Sequence, residues 1–431
     1  MASPRSYKLI IIGAHGLVGS SAFYQAAKLE AESAGANAQQ LFPQPRVLAI
    51  DQFPLGHTQG SSHGESRITR LAIGEGAEYV DLAKRSHEIW MDVETQTNSR
   101  LLNIMPAIPI GGLIVGPTGA ETQAAYHGAS GFLQQTHQRA QACAVSHTFL
   151  DNVALRKAYP QFMFRENDAG YCEASMGYIN PDACIKANIQ LAKQYGGELR
   201  DHERVLRFEK TKQGKIQVIT QKNGQEIIYL TDKMIVAAGP WLNNLVKIDE
   251  LKVYRQTVYW FKVQEELRHQ FTNDKFPTFI WNFDNQNMVY GFPLMGDENA
   301  IKMGFESYAT ATTPETVDRQ VSQNEIDHIY ENIIKPNFTG ITSECVKAVV
   351  CLYTVAPQWR FVIDFLPDYN EKVIVASPCS GHGAKHAAAI GEAIAQHSLL
   401  GHSKIPVLKL FGGWFVKSTQ PESQCTSISL K

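Results

Sequence analysis

The chain opens on a strand that a glycine stops. Tyr7 to Ile12 is a short apolar run rich in isoleucine, and Gly13 ends it. An uninterrupted apolar run of this length fits a parallel strand buried on both faces. Ser20 to Leu29 then places Ala, Phe, Tyr and Gln at helical spacing, and Val47-Leu48-Ala49-Ile50-Asp51 is a second strand ending in an acid. Strand, turn, helix and strand in this order form the first half of a dinucleotide fold. The turn reads Gly13-Ala14-His15-Gly16-Leu17-Val18-Gly19. In Gly-x-Gly-x-x-Gly the glycines let backbone approach a pyrophosphate at a helix N-terminus. Gly16 and Gly19 have that spacing, but Ala14 stands where the first glycine of the pattern belongs, so a plain strand-to-helix turn stays open as a second reading. Asp51 is the candidate for the ribose hydroxyls. It lies further on than the usual ~20 residues, and the Ala-, Gly-, Asn-, Gln- and Pro-rich stretch Glu30 to Arg46, read as a surface insertion, accounts for the distance.

The chain has 431 residues, enough for two interleaved domains with large cores. Tyr79 to Glu94 reads as an amphipathic helix, Pro106 to Val115 as a strand bending at Gly111-Gly112, and Gln123 to His147 as helical. Pro181 to Tyr195 is a helix capped by Asn180, with proline in its first turn. Val205 to Phe208 and Ile216 to Thr220 form a hairpin, and the strand from Asp232 runs into Gly239-Pro240-Trp241. Between residues 252 and 310 short runs alternate apolar and polar (Thr257 to Val263, Thr278 to Trp281, Val289 to Phe292, Ile301 to Phe305), the mark of antiparallel sheet. Glu315 to Ile334 reads as helix, Val373 to Ala376 as a last buried strand and Gly383 to Leu400 as a closing helix. The expected fold class is α/β: a Rossmann-like nucleotide domain assembled from 1–90, 150–245 and 345–400, an inserted antiparallel-sheet substrate domain from 91–149 and 246–344, and a C-terminal tail over 401–431.

A formal net charge of -2 without a basic stripe argues against nucleic acid as a partner. The seven cysteines are scattered and form no Cys-x-x-Cys pair, so neither a zinc site nor a disulfide framework is signalled. Met1 to Lys8 lacks the apolar core of a secretory signal, no stretch is long enough to span a bilayer, and the terminal Ser-Leu-Lys is not the Ser-Lys-Leu address. Cytoplasm is the expected compartment, with no membrane partner and no metal.

Three further segments carry chemistry. In Gly60-Ser61-Ser62-His63-Gly64-Glu65-Ser66-Arg67-Ile68-Thr69-Arg70, small residues would let the chain pass close to a flat ring system. Arg67 and Arg70, three apart, could divide between that ring and a cavity; a solvated basic loop is the plainer alternative. Gly381-His382-Gly383-Ala384-Lys385 precedes an alanine-rich helix. Its amides and dipole would favour negative charge, such as the pyrimidine edge of a reduced flavin. Lys385 falls in the first turn, against the dipole rule, so either an anion compensates it or it is a surface lysine. Cys351, in Val349-Val350-Cys351-Leu352-Tyr353-Thr354, would on local context pack as a small apolar strand residue.

Together these segments resemble the monomeric sarcosine oxidase family, which includes N-methyltryptophan oxidase and the pipecolate oxidases. The resemblance spans about residue 7 to about residue 400. It is most specific over Gly60 to Trp90, which contains Ser62 to Arg70, Gly74-Glu75-Gly76-Ala77-Glu78-Tyr79-Val80 and Arg85-Ser86, and the Cys351–Thr354 and Ser380–Lys385 stretches also match closely. It implies FAD joined covalently through its 8α-methyl group to Cys351, and a substrate carboxylate clamped by Arg70 and Lys385. It implies a role for Lys302, in Ile301-Lys302-Met303-Gly304, where oxygen reacts, and for Tyr290 in the active site. His63 and Arg67 would lie close to the flavin, and Tyr353 would border the cavity. Gly13, Ala14, Gly16, Gly19, Asp51, Val205, Gly239, Gly381, Gly383 and Lys385 complete the expected cofactor contacts. Two departures stand out: Ala14-His15 in the phosphate loop, and Glu306 where the sarcosine and N-methyltryptophan enzymes carry a histidine facing the substrate. An acid there would repel a carboxylate and attract a cation, unless Glu306 turns away to a surface lysine.

The implied reaction is oxidation of an N-methyl or other secondary amino acid by hydride transfer from the alpha or N-methyl carbon to FAD, imine hydrolysis in water, and reoxidation by dioxygen to peroxide, in a monomer. A bulkier or cationic, pipecolate-like substrate is the nearest alternative, with Glu306, Trp260, Trp281 and Phe283 as candidate walls of a larger cavity. A nicotinamide-dependent dehydrogenase and a non-catalytic flavoprotein are the remaining ones.

Overall fold

The computed structural model describes residues 4–35, 45–104, 111–118, 125–127, 129–283, 288–296 and 298–415. Its first sheet forms around the predicted opening strand. Arg5–Ile12 pairs in parallel with Val47–Ile50 on one side and with Gln225–Val236 on the other. Val373–Ser377 adds to Gln225–Val236, and Glu198–Arg200 adds to Val47–Ile50, both in parallel. The antiparallel strands Arg204–Lys210 and Ile216–Lys222 extend the sheet, and Val362–Phe365 pairs with Val373–Ser377, making eight strands. Residues Leu9 to Ile11 are wholly buried, as strands covered on both faces require. Helices Leu17–Ala34, Pro181–Gln194 and Ala387–Leu400 share one core with this sheet. Asn180 caps the second of them, its side chain accepting from the Ala183 N–H at 3.0 Å.

The turn after the first strand is set by two glycines. Gly13 has φ +92°, which L side chains rarely adopt. A Cβ on Gly19 would stand 1.9 Å from the Gly13 carbonyl oxygen, so only glycine lets the helix start this close to the strand end. Gly19→Ala should therefore cost about 1–3 kcal/mol through forced displacement of the helix, read as a lower melting temperature together with a lower content of bound cofactor. An unchanged melt would mean the helix shifts freely.

The second sheet has nine strands, running from Ala311–Thr312 through Lys252–Val263, Ala300–Phe305, Met288–Gly291, Thr278–Asn282, Gly112–Pro117 and Asp168–Glu173 to His147–Leu150, with the long Ile341–Val355 also paired to Lys252–Val263. All its pairings are antiparallel except Gly112–Pro117 with Thr278–Asn282. Beneath it lies an aromatic core in which Phe162 stacks on Phe164 at 5.2 Å and on Phe276 at 5.1 Å. Such ring pairs each add roughly 0.5–1.5 kcal/mol beyond area burial.

Several local expectations need correction. Glu30 is not at the start of a surface insertion: the first helix runs to Ala34, and Glu30 is buried between Lys8 and Arg46, because it neutralises both. Residues 36–44, 106–110, 123–124 with 128, and 416–431 of the expected insertion, strand, helix and tail lie outside the described residues. The helix expected over Gln123–His147 is confined to Phe132–Ala142, preceded by the short pair Ala125–Tyr126 and Ala129–Ser130 and followed by a strand from His147. The helix expected from Glu315 begins at Gln323, where Ser322 and Glu325 form a capping box. Asp168–Glu173 and Ile341–Val355, grouped above in part with the nucleotide segments, both pair within the nine-stranded sheet; we propose a domain division that moves them there. No helix among the described residues is long and apolar enough to cross a membrane.

Candidate active site

A cavity of about 500 Å³ opens where the parallel strands end. Gly13, Gly16 and Gly19 line its start beside Asp51, Val205 and Gly239 flank it, and Gly381 and Gly383 line it further along. Ala14 is buried and does not line it. Asp51 is held by the phosphate loop itself: its carboxylate accepts from the His15 N–H at 2.8 Å and the Phe53 N–H at 3.0 Å. Side-chain atoms of His15, Asp51 and His57 lie within 4.8 Å of one another. Both Asp51 oxygens already accept from backbone N–H groups.

The residues fit FAD on one physical test. Buried polar atoms need partners, yet His15 Nε2, His63 Nε2 and Ser377 Oγ have none among the described residues, and all three side chains belong to the lining of this cavity. The His63 ring is pushed down to about 3 by burial and by the nearby Arg67 charge, so it lines the cavity as a neutral imidazole. Arg67 is tied to the Ser66 and Ser61 carbonyls at 2.8 and 2.9 Å, not solvated.

A smaller pocket adjoins the cavity and shares Arg67, Tyr353, Gly381 and Ala384 with it. Arg70, Lys302, Lys385, Tyr290 and Glu306 line this pocket. Tyr290 finds room because it faces Gly304 on the neighbouring strand, where a Cβ would stand 2.3 Å from the tyrosine Oη. Lys302 donates to Ser66 Oγ at 3.0 Å and to the Ser66 carbonyl at 3.2 Å, with its ammonium 5.3 Å from the Trp260 ring and 5.2 Å from the Phe292 ring. Burial, then the Arg67 charge, pushes Lys302 down to about 7. Burial also brings Lys385 down to about 7, against the pull of Glu75. Lys385 is thus no surface lysine; it donates to the His382 carbonyl at 2.6 Å.

Two side chains that sequence reasoning passed over organise the pocket. Glu75 takes both its oxygens to Arg70 Nη2, at 2.7 and 2.9 Å, while Arg70 Nη1 donates to the Ala72 carbonyl. Burial alone would raise Glu75, but Arg70, followed by Lys385 and His127, holds it well below the usual carboxylate range. Arg70 Nε is buried without a partner among the described residues. His127 sits between two acids, its Nδ1 3.4 Å from Glu75 and its Nε2 2.9 Å from Glu306. Burial alone would lower it, yet Glu306 and then Glu75 carry its pKa above the ordinary histidine value. Glu306 is therefore not turned toward a surface lysine. Glu75 stands inside the Gly74–Val80 motif, where it could have been found; His127 had no signal, because it lies 179 positions from Glu306.

Cys351 is buried on Ile341–Val355, opposite Gln256. Burial raises its thiol pKa, and the Arg67 and Lys302 charges pull it back. It does not itself line either cavity, whereas Cys379 does. Trp281 and Phe283 belong to the aromatic core, so they are not walls of a larger cavity, and Trp260 lies behind Lys302. Arg85 and Ser86 serve the fold: Arg85 clasps Glu392 at 2.7 and 2.8 Å, and Ser86 Oγ accepts from the Ala389 N–H.

Residues 8–397 match the family model described as DAO, FAD dependent oxidoreductase. The chain is 30% identical to a monomeric sarcosine oxidase of Bacillus sp. (strain B-0618), over 92% of this chain and 93% of that protein. It is 29% identical to an N-methyl-L-tryptophan oxidase of Yersinia pestis (strain Pestoides F), over 90% and 94%. Its fold resembles that of NikD, an unusual amino acid oxidase essential for nikkomycin biosynthesis, with a TM-score of 0.75 at 18% identity, covering 94% and 97% of the two chains.

Proposed function

The chain belongs to the DAO family of FAD-dependent oxidoreductases, and on that premise we propose that it oxidises secondary amino acids, N-methyl amino acids first among them, as a cytoplasmic monomer using dioxygen. Membership sets aside the nicotinamide reading. The observation that carries the proposal is the adjoining of the two cavities, with Arg70, Lys302 and Lys385 gathered in the smaller one. When bound, FAD supplies the hydride acceptor and the route by which dioxygen becomes hydrogen peroxide.

The chain's own residues do the rest. Asp51 and the phosphate loop hold the nucleotide, His63 lines the larger cavity, and Arg67 sits where the two cavities meet. Lys385 and the Nε–H of Arg70, which has no partner among the described residues, receive the substrate carboxylate, a charge-assisted contact roughly twice as strong as a neutral one. Tyr290 and Tyr353 wall the pocket and exclude water. Lys302 holds positive charge where dioxygen is reduced. The imine leaves and hydrolyses in water.

An anaerobic screen with N-methyl amino acids, cyclic imino acids and simple amines tests this. N-methyl amino acids should bleach the visible flavin band fastest. A flavin-loaded protein bleached by none of them would end the proposal.

A further inference from the structure

We propose that Glu306 is the cation receptor of the substrate pocket, holding the substrate amine as its ammonium, so that the site selects zwitterionic amino acids over carboxylates of the same shape. This rests on the amino-acid-oxidase reading above and adds the residue that chooses the charge of the guest.

Glu306 follows directly on the strand Ala300–Phe305 and lines the pocket. Its Oε2 accepts from the Tyr308 hydroxyl at 2.6 Å and lies 2.9 Å from His127 Nε2, so the carboxylate is gripped from two sides. Its side chain is only 4% exposed. His127 is fixed in turn by the Gly381 turn, where a Cβ would stand 2.6 Å from His127 Nε2. The clasp is thereby registered to the wall that both cavities share.

The groups around Glu306 come from every neighbouring element. Arg67, Arg70 and Glu75 lie on or soon after the short strand Arg67–Thr69, Tyr290 and Lys302 stand on adjacent strands, Cys351 and Tyr353 stand on Ile341–Val355, and Lys385 lies in the last glycine turn. Arg70 is balanced by Glu75, and His127 bridges Glu75 and Glu306. Among the side chains that line the pocket itself, Arg70 and Lys385 form a basic pole and Glu306 an acidic one, whose charge His127 answers in part. A guest with only a carboxylate would press an alkyl group against the buried Glu306 anion, which is costly. A zwitterion meets both poles with charge-assisted hydrogen bonds.

The same anion shifts the titration of the amine it holds. An anion beside an ammonium favours the charged form and raises its pKa. Only the neutral amine has the lone pair that supports hydride loss. Glu306 should therefore push the rise of flavin reduction with pH to higher pH, and Glu306→Gln should bring it down.

The test titrates the oxidised flavoprotein with 2-aminoisobutyrate and with pivalate, following the visible spectrum. The two share a carboxylate on a quaternary carbon; one carries ammonium where the other carries methyl, and neither can be oxidised beside nitrogen. Wild type should prefer aminoisobutyrate by at least about tenfold, Glu306→Gln should bind the pair within about threefold, and Glu306→Asp should keep the preference. With an oxidisable N-methyl amino acid, the midpoint of the reduction rate against pH should fall in Glu306→Gln. Equal binding by wild type, or loss of preference in Gln and Asp variants alike, overturns the inference while leaving the oxidase reading intact. Binding of neither probe removes the amino-acid pocket itself, and this inference with it.

Discussion

Lys302→Met should slow reoxidation of the reduced flavoprotein by dioxygen by roughly several hundredfold, while anaerobic reduction by substrate changes little. Electron transfer to dioxygen builds negative charge. A cation at ~4 Å in an effective dielectric of ~20 interacts with it by about 4 kcal/mol, and most of that, if present in the transition state, is a rate factor of this size. The surroundings of the lysine suit this role. It is buried, its hydrogen bonds among the described residues go to Ser66, and two aromatic rings face its ammonium. Its charge is also conditional. Burial and Arg67 bring it down to about 7, so it is protonated below that pH and loses its proton as pH rises through it. Reoxidation should fall on the alkaline side in wild type and lose that dependence in Lys302→Met. Stopped-flow measurement of the two half-reactions separates them; equal slowing of both would refute the assignment.

Cys351→Ser should release the flavin from the denatured protein altogether. A thioether at the 8α carbon survives acid and detergent, so a wild-type band on a denaturing gel should fluoresce yellow and the variant band should not. Cys379 is the necessary control, because it lines the cavity and Cys351 does not. Fluorescence that persists in Cys351→Ser and vanishes in Cys379→Ser would move the tether to the other thiol. A dark wild-type band would remove covalent attachment and leave the fold untouched.

Much of this molecule is legible from residue order alone. The opening strand, its glycine turn, the capped helix at Asn180 and the alternating strands between 252 and 310 all depend on neighbours close in the chain. Gly13 must accept a positive φ and Gly19 must admit a carbonyl; both demands act within one turn and leave a mark on residue type. The candidate site residues are legible for a different reason, since the motifs around Arg70, Lys302, Cys351 and Lys385 resemble those of a known family. What sequence misjudges is local and irregular: the helix boundary near Ala34, and the stretches before Phe132 and Gln323, where polar composition suits helix, turn and short strand alike.

By itself the chain determined which backbone must bend, which strands must be buried and which ionisable groups were available. Only the tertiary structure decided how those groups are charged and to what they are bound. Arg70 is already answered by Glu75, Lys302 reaches back 236 positions to Ser66, and His127 joins two acids that no periodicity connects to it. Side-chain charge responds to burial and to neighbours a few ångströms away in space, and folding brings those neighbours from anywhere in the sequence.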